Sequence, residues 1–321
     1  MRVLLGCVNS AVSLIGYDVE QRQAFWFCPG NVLRVCGICF HDGALHIASD
    51  SMLQRLDATG LSAVRLPGPH ENLAHSVKPL GPSLLGIADT GNSRILLHSG
   101  GPASLALSPL EGWGDVLPPD AIHLNDFVPW HDGMLASAFN HQPFDRWKRS
   151  SLAWKKEGWG IICFMRRHQG HTLTRIVAGG LNCPHSLCVH EGDVYCCSSA
   201  SGEFFRFRED EHGLLHEVRR WKITNSHFLR GCLRLPDGWL LGGSSQRHQA
   251  EGGGLMLYHL ADDDSLTAHP LGGPGEIYDI IPWDDALMPG ICAALLRQPT
   301  LDLEGDFPPR CRLPRAWGGT D

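Results

Sequence analysis

The chain has 321 residues, 43% of them hydrophobic and 19% charged, with a formal net charge of −7. The make-up is that of an ordinary globular protein, and basic residues occur singly or in short pairs, which argues against a nucleic-acid partner. No run of about 18 apolar residues occurs, and the N-terminal stretch lacks the cleavage pattern of a secretory signal, so no membrane span and a cytoplasmic location are expected.

The twelve cysteines are far below disulfide-scaffold density, and most sit inside apolar runs where a thiol packs as a small hydrophobe. "CGIC" at 36–39 has no second pair at zinc-ribbon spacing, so Cys36 and Cys39 make a weak metal motif.

Helical periodicity is almost absent, and 37 glycines and 21 prolines punctuate short apolar runs from end to end. The first runs are "RVLLGCVNS", "VSLIGYDV" and "QAFWFC", three strands with no partner before them. A pattern of apolar run, turn and second apolar run then recurs six times. Its copies are "CGICFHDGALHIASD", "HSVKPLGPSLLGIAD", "NDFVPWHDGMLASAF", "HSLCVHEGDVYCCSS", "RGCLRLPDGWLLGGS" and "YDIIPWDDALMPGIC". Each copy but the last is followed by two further strand-like runs. Four strands per unit at a period of roughly 40 to 60 residues is the pattern of a propeller blade.

The expected fold is therefore all-β: a six-bladed β-propeller of four-stranded antiparallel blades. The first strand of the last blade comes from "EIYDIIPW", and the three N-terminal strands complete that blade and close the ring. The propeller spans 1–303 as one domain, with an insertion at 141–158 in the third blade and an irregular tail at 304–321. The insertion is cationic and aromatic (Trp147, Trp154, Trp159) and is the candidate surface for a protein partner.

The innermost strand of each blade lines the central channel. The segments feeding these strands read "ENLAHSV", "AIHLNDF", "NCPHSLC", "NSHFLRG" and "GEIYDII". They carry His75, His123, His185 and His227, with Asn125, Asp126, Asn182, Arg230, Tyr278 and Asp279 nearby, while Ser245 and Arg247 come from a neighbouring rim loop. Counting back seven from each turn gives His75, Asp126, His185, Gly231 and Tyr278. His123 and His227 fall earlier, higher on the rim.

Three readings of the histidines stay open. They are ligands of a divalent transition metal (zinc, iron or copper), or they hydrogen-bond loop carbonyls and pack the channel mouth, or they bind substrate without a metal. On the first reading the protein is a metal-dependent enzyme for a small polar or anionic substrate. Asp126 or Asp279 is then the general base, Tyr278 a proton donor, and Arg230 and Arg247 an anion clamp with Asn125, Asn182 and Ser245 as further contacts. The alternative is a non-enzymatic propeller that binds a protein or small ligand.

"IADTGNSRILLHS" at 87–99 resembles the strand pair of NHL-type propeller repeats, which supports the fold. "HLNDFVPW", "NCPHSLCVHEGDVYCCSSASGEFFRF", "HFLRGCLRLPDGWLLGGSSQRH" and "GEIYDIIPW", in that order, resemble the DUF4915 family of bacterial propellers. That resemblance points to His123, Asn125, Pro184, His185, Ser186, Arg230, Gly231, Ser245 and Arg247, and carries no reaction. In architecture the chain is also similar to SMP-30/gluconolactonase-like propellers. There, inner-strand Asn, Asp and Glu hold a divalent cation for lactone hydrolysis, and Asn125–Asp126 would stand for part of that set.

Overall fold

A computed structural model describes residues 1–10, 12–29, 35–100, 105–112, 117–143, 158–245, 254–273 and 275–297. The chain begins with β1 (Arg2–Val8), β2 (Val12–Asp18) and β3 (Gln23–Pro29). The next sheet holds β4 (Gly37–His41), β5 (Ala44–Ser49), β6 (Met52–Asp57) and β7 (Gly60–Arg65). It is followed by β8 (Ala74–Gly81), β9 (Leu84–Asp89), β10 (Arg94–His98) and β11 (Leu105–Leu107). Then come β12 (Leu124–Trp130), β13 (Gly133–Ala138), β14 (Gly160–His168) and β15 (His171–Leu181). The fifth set is β16 (Pro184–His190), β17 (Asp193–Ser198), β18 (Glu203–Glu209) and β19 (Leu215–Lys222). The sixth is β20 (His227–Leu235), β21 (Gly238–Ser245), β22 (Leu255–Ala261) and β23 (Leu266–Gly272). Last are β24 (Glu276–Pro282) and helix α1 (Met288–Arg297).

Five sheets are up-and-down meanders, and the sixth has the order β24-β1-β2-β3. The protein is a six-bladed β-propeller closed by its N-terminal strands, as the repeat predicts. Antiparallel pairing of Val3 with Pro282 through to Val8 with Glu276 forms the closure. Six hydrophobic clusters fill the junctions between neighbouring blades. The second strands β5 and β17 are buried along their whole length, because a blade packs on each face of them. This explains why the sequence shows continuous apolar runs there and not alternation. The fourth strand β7 carries four exposed residues in succession on the outer rim. Towards the axis, neighbouring inner strands approach closely: a Cβ on Gly37 would stand 2.7 Å from the Ser76 Cα.

The second apolar run of the sixth copy forms α1. The place beside β24 is taken by β1, so the chain leaves the sheet at Trp283. Asp284 then accepts the Ala286 and Leu287 N–H groups at 2.9 Å, which turns the backbone into the helix. Met288 and Ile291 go into the cluster under β1, β2, β4 and β5. The insertion lies between β13 and β14, and its residues 144–157 fall outside the described residues, as does the tail. Among the described residues no helix is long and apolar enough to cross a membrane.

Phe127 tests the junction packing. It is fully buried between the β8–β11 and β12–β15 blades, and a Cβ on Gly86 would lie 2.6 Å from its ring. Phe127→Ala is expected to cost about 3–5 kcal/mol in urea unfolding. A loss below about 1 kcal/mol would show that this junction tolerates a void.

Candidate functional site

The inner strands are irregular at the axis, and the irregularity aims the site. Ladder register breaks around His75 in β8, Asn125 in β12, Ser186–Leu187 in β16, Gly231 in β20 and Tyr278 in β24. Each break is a bulge that adds a residue to the inner strand, and in β8, β12, β16 and β24 the side chain there lines the channel. Counting back from the turns placed Asp126 level with His75; the register puts Asn125 there, because β8 carries a second irregularity, between Pro79 and Gly81, that breaks the count from its turn. Just ahead of their strands, Leu73, His123 and Cys183 all take left-handed backbone conformations, with φ of 49°, 52° and 53°. Non-glycine residues held in this region store strain, which accumulates at functional sites.

His75, His123 and His185 come from three blades and meet at the channel mouth. The His75 ring lies 5.1 Å from that of His123, 6.4 Å from His185 and 5.6 Å from Tyr278. Phe139 and Phe228 flank His185 at 5.2 and 5.7 Å. Two of the imidazoles are oriented from behind. His75 Nδ1 donates to the Leu73 carbonyl at 2.6 Å, leaving Nε2 towards the Tyr278 hydroxyl at 3.4 Å. His123 Nδ1 lies 2.9 Å from both oxygens of the buried Asp120 carboxylate.

Arg230 does not stand open to the channel as an anion clamp. It is buried, ion-paired with buried Glu276, and its guanidinium lies 4.1 Å from the Tyr278 ring centre and 4.8 Å from that of Phe228. Asn9 donates to the other Glu276 oxygen at 3.0 Å.

Below the mouth runs a channel of about 270 Å³, lined by residues of all the inner strands. Lys78 crosses it, bonding Asp126 at 2.8 Å and the Leu187 carbonyl at 3.2 Å. Burial works against the Lys78 charge, and the Asp126 carboxylate more than restores it, so its pKa lies above the ordinary lysine value. Asp126 also accepts the Leu187 N–H at 2.7 Å, while Asp279 accepts those of Ile38 and Ile280 at 3.0 and 2.9 Å. Desolvation pushes the Asp279 carboxyl up to about 7, against the Ile38 N–H and the Lys78 ammonium, and nearby Asp126 adds to the rise. Three buried atoms on this wall, Ser76 Oγ, Asn125 Oδ1 and Asp126 Oδ1, have no hydrogen-bond partner among the described residues.

The remaining predicted residues lie elsewhere. His227 turns away from the axis, its Nδ1 2.7 Å from the Tyr258 hydroxyl, and borders a separate polar cavity of about 410 Å³ with Asn182. Asn182 Oδ1 accepts the Gly158 N–H at 2.6 Å. Arg247 and the side chain of Ser245 fall outside the described residues. His227 stands apart from the other three histidines, and among the described residues no three His, Cys, Asp or Glu side chains form a metal-ligand group. The bonds behind His75 and His123 both engage Nδ1. Cys36 packs against Val8 and Tyr278 while Cys39 lines the channel, so the CxxC pair does not converge on a ligand position.

Sequence reasoning missed Lys78, Asp120, Phe139, Phe228 and Glu276. Lys78 follows His75 by three positions on an inner strand, and that placement was its only signal. Asp120 precedes His123 by three positions in a loop with no repeat counterpart.

No family model matches the chain, and no curated protein matches its sequence. Solved structures do. A protein of unknown function from Bacteroides caccae aligns with a TM-score of 0.56 at 14% identity, covering 88% of this chain and 99% of that one. A catalytically inactive virginiamycin B lyase from Staphylococcus aureus, solved with quinupristin, aligns at 0.51 and 10%, covering 84% and 85%. A streptogramin B lyase aligns at 0.50 and 10%, covering 84% and 83%. The likeness is one of fold.

Asp279 gives a pH test. The folded chain holds its proton up to about pH 7, whereas the unfolded chain releases it near the ordinary 3.8. Its stabilising contribution is thus complete below the lower value and is lost as pH rises through the upper. Urea unfolding of the wild type and Asp279→Asn from pH 4 to 8 should show the variant gaining relative stability up to about pH 7 and level thereafter. A pH-independent difference would refute the assignment.

Proposed function

We propose that the protein is an enzyme that moves protons on a small polar carbonyl compound at the mouth of the central channel. The observation that carries this is the convergence of His75, His123, His185 and Tyr278 above a channel wall with unpartnered polar atoms. Buried polar atoms require partners, and a polar guest in the channel supplies them.

Roles follow from the bonds behind each group. Asp120 fixes the His123 ring with Nδ1–H towards the carboxylate, which leaves Nε2 as the proton acceptor. His75, its Nδ1–H committed to Leu73, accepts the Tyr278 O–H at Nε2 and holds the phenol at the mouth; Tyr278 acts as proton donor when that O–H turns from His75 to the substrate. Arg230, neutralised by Glu276 and stacked on Tyr278, positions that ring. The Phe139–His185–Phe228 face is the wall against which the apolar part of a substrate lies.

Lactone hydrolysis is the reaction within this class that a second observation favours. The SMP-30-like resemblance assigns Asn125–Asp126 to a divalent cation, and here the Lys78 ammonium pairs with Asp126 and brings a fixed positive charge to the channel. Asn125, Ser186 and Gly231, among the residues that carry the resemblance to DUF4915 propellers, lie at these axial bulges, which supports reading the bulges as the site.

The test is proton release from a panel of sugar lactones and hydroxy-acid esters. His123→Ala, Asp120→Asn and Tyr278→Phe should each lower kcat by about 10²–10⁴-fold with folding intact. Turnover that survives both His123→Ala and Tyr278→Phe unchanged would remove the proposed roles. A panel with neither turnover nor binding sensitive to His185→Ala would remove the enzyme reading.

A further inference from the structure

The channel wall carries a chemistry that the proton-transfer site does not use. Cys188 on β16 and Cys232 on β20 belong to neighbouring blades, and both thiols line the channel and are partly accessible from it. The Cys232 sulfur lies 3.1 Å from the carbonyl of Ser186, two residues before Cys188 on the neighbouring strand. The two thiols thus open on one channel from adjacent inner strands tied together at Ser186, and a disulfide of ~2.05 Å forms when both side chains turn towards each other there. The Lys78 ammonium acts on both sulfurs.

The other thiols stand in contrast. Burial pushes Cys7, Cys39 and Cys163 up to about 12, and Cys196 and Cys197 also lie above the ordinary range because they are buried. Cys188 is lowered, first by the neighbouring Cys232 thiol and then, against burial, by Lys78. A thiol with this environment and a second thiol within reach has the make-up of a peroxide-sensitive cysteine with its resolving partner.

We propose that Cys188 and Cys232 form a dithiol that reacts with hydrogen peroxide and closes to a disulfide across the channel. The Cys188 thiolate attacks one peroxide oxygen. The O–O bond breaks, the departing hydroxide takes up a proton as water, and Cys188 becomes a sulfenic acid, oxidised by two electrons. The Cys232 sulfur then attacks the Cys188 sulfur. The S–S bond forms, the S–O bond breaks, and the hydroxyl leaves as a second water with the proton from Cys232. Two thiols and one peroxide give one disulfide and two waters.

The bond would tie together two strands that share no ladder. Between them, Ser186 (φ 55°) and Gly231 (φ 69°) are already linked by a 2.7 Å bond from the Gly231 N–H to Ser186 Oγ. His185 and Arg230 immediately precede these two residues, so the disulfide acts on the segment that holds the channel mouth.

The test uses the full chain, reduced, desalted and exposed to one equivalent of hydrogen peroxide. Thiol titration after denaturation should show two of the twelve cysteines lost, peptide mapping should join Cys188 to Cys232, and dithiothreitol should restore both. Cys232→Ser should stop at a Cys188 sulfenic acid captured by dimedone. Cys188→Ser and Cys188→Ala should each slow thiol loss at least about tenfold. Oxidation that maps to other cysteines would overturn the proposal. So would a Cys188 variant that oxidises at the wild-type rate, or a wild-type Cys188 that proceeds to sulfinic acid without the disulfide.

Discussion

A single irregularity, repeated around the axis, governs this molecule's centre. Regular inner strands would point alternate side chains at the channel and bury the rest between blades. One bulge in each of five inner strands breaks that alternation, so consecutive residues reach the axis together. His75 and Ser76, Asn125 and Asp126, and Tyr278 and Asp279 all line the channel for this reason. The sixth inner strand, β4, pairs with β5 without a break and contributes Ile38 and Cys39, the less polar side of the wall.

Crowding polar groups at a narrow axis creates an electrostatic problem that the channel resolves internally. Two carboxylates face one ammonium. Asp126 takes the direct ion pair, and Asp279, left with backbone N–H groups and the more distant charge, holds its proton to near neutrality. A carboxyl raised by burial beside another held in an ion pair is an arrangement that separates acid and base roles elsewhere. Here it sits beneath the imidazole cluster, where a change in the Asp279 charge is felt by whatever occupies the mouth.

The architecture was legible because it rests on repetition. Apolar runs at blade spacing named the strands, the unpartnered N-terminal runs named the closure, and both needed only short-range patterns. α1 escaped because its residues are as apolar as a strand, and only the occupied edge of β24 decides against pairing. The site was legible in part. His75, His185 and Tyr278 emerged from alignment of the copies, but a bulge inserts a residue without a sequence mark, so Asn125 and Asp126 exchanged places. His227 showed the limit of a composition argument. It occupies the same segment as the others, yet its strand turns Phe228 and Arg230 to the axis and His227 away. Glu276 and Asp120 act through partners distant in sequence or in unrepeated loops, and no local pattern announces such pairings.

Closure of the ring by β1 against β24 has a temporal side. Synthesis delivers β1 well before β24, so β1 waits for its partner while five blades assemble between them. During that interval β1, six of whose seven residues are buried in the finished fold, offers an open hydrogen-bonding edge to any strand nearby. Pairings this far apart in the chain form slowly. The folding hazard of this protein is therefore concentrated at its beginning, and residues that reach the mouth from the closing blade, Asn9, Glu276 and Tyr278, come together only when the ring is shut.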